Sequence, residues 1–233
     1  MKKGTFYGVG VGPGDPELLT LKAIRAMEHC PVIAAPETRG EKTLALDIAR
    51  GAVDLSGKTI LALEFLMTRD KQKLEESHRA QARAVMEYLD QGQDVAMLNL
   101  GDVSIYSTFS YLLEIIKEAG YETQVIPGVP SFCAVAALLQ QSLTVMRQPL
   151  HIIPGSYPCT EQMLQTEGTK VIMKTGRSVE QVKKLLKQYG YYDNAKMVQN
   201  CGLEQEHIFQ SLDDATNEAS YFSIIVCKEE DKQ

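Results

Sequence analysis

No apolar run in this 233-residue chain approaches the roughly 20 residues that a membrane-spanning helix requires. The basic start, Lys2-Lys3, leads into an apolar stretch broken by Gly8, Gly10, Gly12, Pro13 and Asp15. That is not a secretory leader, so a cytoplasmic protein without a membrane partner is expected. Excess positive charge is also lacking. Lys and Arg number 24 against 30 Asp and Glu, a net charge of −6, so no global field draws nucleic acid, and none is expected as a partner. An anionic substrate would need a local basic pocket. The cysteines are few and scattered: Cys30, Cys133, Cys159, Cys201 and Cys227 form no C-x-x-C pair. This argues against a zinc site and against a disulfide framework, and no metal centre is expected. Internal repeats and low-complexity tracts are missing too. What is present, 44% hydrophobic and 23% charged residues, excludes a disordered chain.

Short apolar runs alternate with helical periodicity. Thr5–Val11, Val32–Ala35, Thr59–Leu63 and Val95–Leu100 read as strands, and Leu18–Glu28, Lys71–Gln91 and Tyr106–Glu118 as helices. This βαβ alternation predicts a mainly parallel sheet covered by helices. Glu122–Ile126 reads as a strand that begins a second half, followed by a helix over Ser131–Leu139. Lys170–Lys174 is a strand, and Val179, Val182, Leu186 and Tyr189 recur at helical spacing. Lys196–Gln199, His207–Gln210 and Tyr221–Cys227 are strand-like with no long helix between them, which predicts a mixed sheet. The boundary falls at Ala119-Gly120-Tyr121, giving an N-terminal α/β domain of residues 1–119 and a C-terminal α/β domain of residues 120–233.

The first strand runs into Gly8-Val9-Gly10-Val11-Gly12-Pro13-Gly14-Asp15-Pro16. Such a loop brings bare backbone close to something or makes a tight turn. It is not a dinucleotide fingerprint. Pro13 stands where the third glycine belongs, and Pro13 and Pro16 remove N–H groups that would hold a pyrophosphate. No G-K-[ST] follows, so it is not a P-loop. A tight strand–helix turn capped by Asp15 fits equally. The next informative stretch is Leu98-Asn99-Leu100-Gly101-Asp102-Val103-Ser104-Ile105-Tyr106. Ligands bind beyond the carboxyl ends of strands in open α/β sheets, and an acid there can bond a ligand hydroxyl or amine. Asp102 and Ser104 can instead cap the following helix. A third stretch, Pro127-Gly128-Val129-Pro130-Ser131-Phe132, turns into a helix of small residues that permits close approach by a ligand or by packing neighbours.

Together the three stretches resemble the tetrapyrrole (corrin/porphyrin) methylase family. The matching elements are Gly10–Ala23 (G-V-G-P-G-D-P-E-L-L-T-L-K-A), Leu100–Tyr106 (L-G-D-V-S-I-Y) and Pro127–Phe132 (P-G-V-P-S-F). Met173–Arg177, Gln199–Gly202 and Tyr221–Val226 match more weakly, in the family's order. N-L-G-D-V-S-I-Y-S-T and P-G-V-P-S-F resemble the branch acting at C20 of precorrin-2 or cobalt-factor II. Val103 replaces the family's commoner proline and leaves a backbone N–H in the loop. The resemblance implies a two-domain α/β tetrapyrrole methylase fold with the active site in the interdomain cleft, and a homodimer. It implies S-adenosyl-L-methionine as methyl donor, S-adenosyl-L-homocysteine as product, and a tetrapyrrole substrate in cobalamin biosynthesis. Donor contacts carry over to Pro13, Leu100, Gly101, Asp102, Ile105, Ser131, Phe132, Thr175 and Cys201.

Methyl transfer from a sulfonium is an in-line displacement in which alignment dominates. The leaving group departs neutral and needs no acid, so few obligatory side chains are expected. The C20 proton must leave afterwards, and a modest base would help. Candidates are Asp102, Tyr106, Glu37 and His151, of which Asp102 and Tyr106 are taken as the catalytic pair. Arg39, Lys42, Arg147, Lys174 and Arg177 can neutralise substrate carboxylates or can be solvated surface charge. Met67, Met146 and Tyr157 can face the macrocycle or pack in the core. Two other readings stay open: a methylase of the same family acting elsewhere, and a non-catalytic module binding a tetrapyrrole or adenosyl nucleotide.

Overall fold

Short apolar runs become the strands of two five-stranded sheets. The computed structural model describes residues 2–37, 44–66, 68, 70–155, 157–175 and 178–228. The chain divides into two units, Met1–Pro130 and Ser131–Gln233.

The first unit runs β1 (Thr5–Gly10), α1 (Leu21–His29), β2 (Val32–Glu37), α2 (Leu44–Arg50), β3 (Thr59–Glu64), α3 (Lys71–Asp90), β4 (Val95–Asn99), α4 (Phe109–Glu118) and β5 (Glu122–Ile126). All pairings are parallel, in the order β3-β2-β4-β1-β5. The sequence places β5 at the start of a second domain. It instead pairs with β1, from Thr5↔Glu122 to Val9↔Ile126, so the division falls after Pro130 rather than after Ala119. Alternation along the strands feeds two cores. Val9, Ile33, Ala96, Leu98 and Ile126 pack on α1 and α2. Phe6, Val32, Leu63, Val95 and Met97 pack on α3 and α4. Gly8 serves this packing. A Cβ there would stand 2.5 Å from ring carbons of Phe109, the same ring that lies 5.3 Å from that of Phe6.

The second unit runs α5 (Ser131–Leu138), β6 (Leu150–Pro154), α6 (Cys159–Leu164), β7 (Thr169–Met173), α7 (Val179–Gln188), β8 (Ala195–Gln199), β9 (His207–Phe209) and β10 (Ser223–Cys227). Its sheet is mixed, in the order β6-β7-β10-β8-β9, with β6 parallel to β7 and β10 antiparallel to both β7 and β8. Val179, Val182 and Leu186 of α7 close one core over Ile172, Met197 and Ile225. Lys170 is fully buried in β7. Its ammonium is tolerated because it donates to the carbonyls of Thr166 (2.5 Å) and Glu167 (3.0 Å). Among the described residues no helix is long and apolar enough to cross a membrane. The five cysteines are free thiols.

Candidate functional site

The parallel first sheet brings the ends of β4, β1 and β5 side by side at one edge. The loops that follow lock together through their backbones. Gly12 and Gly101 exchange hydrogen bonds, Gly101 N–H to Gly12 O at 2.7 Å and Gly12 N–H to Gly101 O at 3.2 Å. Both have left-handed backbones, φ +76° and +71°, which glycine adopts without strain. Gly10 meets the third loop: a Cβ there would lie 2.5 Å from the Gly128 nitrogen. A Cβ on Gly128 would lie 2.8 Å from the Gly10 carbonyl carbon and closer still to the Gly101 oxygen. The glycines of the first and third loops therefore admit neighbouring backbone.

Asp102 lies at the centre of this junction and is 7% exposed. Its Oδ1 accepts from the Ser104 N–H at 2.8 Å and from the Ser104 hydroxyl. Its Oδ2 accepts from the Gly128 N–H at 2.8 Å. Burial by itself would raise the carboxyl. The bonds from the Ser104 hydroxyl and from the N–H groups of Ser104, Gly128 and Val103 outweigh it and hold the group below its ordinary 3.8. Asp102 and Ser104 do not cap the next helix. That helix begins at Phe109, later than the expected Tyr106, with Thr108 at its N-cap position and no side-chain cap bond. Residues between are pinned instead by Asn99 at the end of β4, whose Oδ1 accepts from the Ser107 hydroxyl at 2.6 Å. Within this span Tyr106 holds φ +51°, a strained region for a bulky residue, and is 44% exposed.

The other donor-contact candidates of the first unit sit around the same junction. Pro13 is buried beside Gly12. Leu100 packs onto the α1–α2 core. Ile105 closes a turn to the Asp102 carbonyl at 3.4 Å. Asp15 does cap, but for the 3-10 turn Pro16–Leu18, accepting from Glu17 N–H at 2.8 Å; α1 is capped by Thr20. Glu37 ends β2 at the same edge of the sheet.

In the second unit, Ser131 and Phe132 open α5, with Phe132 buried. Thr175 follows β7 and Cys201 follows β8. Both strands run antiparallel to β10, so these residues share one edge of the sheet. Thr175 is buried, and its hydroxyl has no hydrogen-bond partner among the described residues; Thr169, at the opposite end of β7, shares this property. Lys174 and Asn200 both take left-handed backbones at these strand ends, φ +55° and +52°. Lys174 is partly buried, which lowers its ammonium below the usual lysine range. Burial, then the charge of Glu206, pushes the Cys201 thiol up to about 11, so it is no nucleophile near neutral pH.

His151 is not with these groups. It stands near the start of β6, away from the strand-end loops, and its Nε2 pairs with the Glu167 carbonyl oxygen at 2.8 Å. Arg147 is an exposed residue of the α5–β6 connection. In the same connection Met146 is fully exposed, while Tyr157, beyond β6, is 59% exposed; neither packs in a core. Arg39, Lys42, Met67 and Arg177 lie outside the described residues. The sequence missed Gly128 as the partner of Asp102 and the Asn99–Ser107 pin. The adjacent G-D and P-G motifs carry the right groups, but no spacing rule says that they meet.

Residues 5–215 match the family described as Tetrapyrrole (Corrin/Porphyrin) Methylases. The chain is 31% identical over 230 residues to the cobalt-precorrin-2 C(20)-methyltransferase of Salmonella typhimurium, covering 96% of this chain and 95% of that protein. It is 37% identical over 170 residues to the probable cobalt-precorrin-2 C(20)-methyltransferase of Methanocaldococcus jannaschii, covering 72% and 71%. Among solved structures, a cobalt precorrin-4 methyltransferase of cobalamin biosynthesis shares the fold with TM-score 0.77 at 18% identity, covering 96% of this chain and 94% of that one. The uroporphyrin-III C-methyltransferase of Thermus thermophilus, solved with S-adenosyl homocysteine, aligns with TM-score 0.73 at 21% identity, covering 97% and 98%.

Proposed function

The chain belongs to the tetrapyrrole (corrin/porphyrin) methylases, and from that premise we propose that it transfers a methyl group from S-adenosyl-L-methionine to C20 of precorrin-2 or its cobalt chelate, a step of cobalamin biosynthesis. The likeness to C20-methyltransferases along nearly the whole chain supports the position. The observation that carries the reading is the junction of Gly12, Gly101, Asp102 and Gly128 at the carboxyl edge of the first sheet, where an α/β protein binds ligands.

S-Adenosylmethionine supplies an electrophilic methyl group on a sulfonium that leaves as a neutral thioether. The residues present fit such a donor. In the first unit, Pro13, Leu100, Gly101, Asp102 and Ile105 offer a backbone-walled surface. In the second, Ser131, Phe132, Thr175 and Cys201 are proposed contacts, and the buried Thr175 hydroxyl has no hydrogen-bond partner among the described residues. Cys201, held as a thiol, contributes shape rather than reactivity.

A carboxylate held below its ordinary value is a poor base, so proton removal is proposed for the Glu37 carboxylate, which ends β2 at the same sheet edge, rather than for Asp102. Tyr106, a phenol that keeps its own proton at neutral pH, is proposed to orient the reacting groups by hydrogen bonding. Lys174 is proposed to face a substrate carboxylate, because an anion beside it offsets the burial that disfavours its charged form. The homodimer and the cytoplasmic location expected from the sequence belong to the same proposal.

Two measurements test it. Calorimetry should give binding of S-adenosylhomocysteine to the protein alone, and no heat with NAD. Transfer of a labelled methyl group, run with precorrin-2, cobalt-factor II and other tetrapyrroles, should favour the first two. Absence of donor binding at millimolar concentration overturns the donor site, and preference for a different macrocycle overturns C20.

A further inference from the structure

The Asp102 carboxylate is fully engaged before any ligand arrives. One oxygen is held within its own loop by two donors of Ser104, and the other reaches across to the Gly128 N–H at 2.8 Å. The neighbourhood has no slack. Gly10, Gly101 and Gly128 approach so closely that a single Cβ on Gly10 or Gly128 would strike backbone. The Gly101–Gly12 exchange ties the first loop to the second. The contact to Gly128 is a side-chain hydrogen bond from the second loop to the third.

We infer that the Asp102 side chain is a positioning group, a clamp that sets the spacing of the three loops, and that its carboxylate is neither a ligand of the donor nor the base of the reaction, while the Asp102 backbone stays part of the donor surface. The inference rests on the reading of these loops as the donor site. The carboxylate accepts at both ends, and this decides what a substitution does. Asn presents one acceptor and one amide NH2, so whichever way it turns, a donor faces an N–H on one side. Asn at this position therefore keeps Asp102's shape and cannot hold both loops.

The test uses the full-length chain carrying Asp102→Asn. Hydrogen exchange of the Gly128 amide in donor-free protein should quicken about tenfold or more, and the Kd for S-adenosylhomocysteine should rise about tenfold. Turnover at saturating donor should stay within about threefold of the parent, because bound donor reassembles the loops. Weakened donor binding with unchanged Gly128 exchange makes Asp102 a direct ligand and overturns the clamp. Unchanged binding with turnover collapsed at saturating donor makes it the base, and no change in any quantity removes it from the site; both overturn the clamp. If the variant does not fold, the unsubstituted protein decides. A trans-hydrogen-bond coupling between the Gly128 amide nitrogen and the Asp102 carboxyl carbon is expected, and its absence overturns the inference. If the unsubstituted protein binds no S-adenosylhomocysteine, the donor reading fails, while the exchange comparison still judges the clamp.

Discussion

At Gly10 the side chain is missing because another stretch of backbone occupies its place. Gly10→Ala would put a methyl group 2.5 Å from the Gly128 nitrogen, and such overpacking costs about 1–3 kcal/mol. A lower denaturation midpoint together with weakened S-adenosylhomocysteine binding is expected, measured by urea unfolding and calorimetry. The acid response of Asp102 has a definite sign. Its folded pKa lies below 3.8, so its contribution to stability is fully present above the unfolded value and is lost as pH falls through the folded one. In Asp102→Asn that part of the acid-induced loss should be absent, read as a shallower fall of unfolding free energy below about pH 4. The sequence shows a close approach at the glycine-rich start and an acid at the end of β4. It does not show that the glycines meet each other. Gly10, Gly101 and Gly128 are far apart in the chain, and only the parallel order of β4, β1 and β5 makes them neighbours.

Elements with a long, regular apolar period are the ones the sequence displays. α3 and α7 both present a buried stripe, Ala82, Val85 and Leu89 in one, Val179, Val182 and Leu186 in the other. α2, β6 and α6 carry no such period. LALDIAR and CTEQML are too short for a helical period to separate from a buried strand. LHIIP carries a histidine and a proline that weaken any strand signal. Leu186 tests the packing of α7. It is fully buried in the second core, so Leu186→Ala should cost about 2–5 kcal/mol by chemical denaturation. Donor affinity should change little, since α7 holds no proposed contact. A large loss of affinity in a folded Leu186→Ala protein would show that the strand-end loops depend on this helix.

For the chain as a whole, the class of each half is legible in its connections. Strands separated by helices gave the parallel sheet, and the closely spaced late strands gave the mixed one. The boundary was not legible, because the glycine at Gly120 reads as a break although the strand after it belongs with β1. A fragment of residues 1–130 should therefore unfold cooperatively on heating. One of residues 1–119 should not, since it leaves β1 with an open edge and removes Ile126 from the core. Calorimetry of the two fragments makes the comparison, and equal cooperativity would show β5 to be dispensable. The strand order of the second unit bears on biosynthesis. β7 and β8 touch only through β10, which is made after both. As the ribosome adds residues in order, the first sheet has all its strands once Ile126 has emerged. The second remains two separate strips until Cys227 leaves the exit tunnel. One half of the protein can thus mature while translation continues, and the other waits, its apolar strands open to chaperones, for a single late segment to join them.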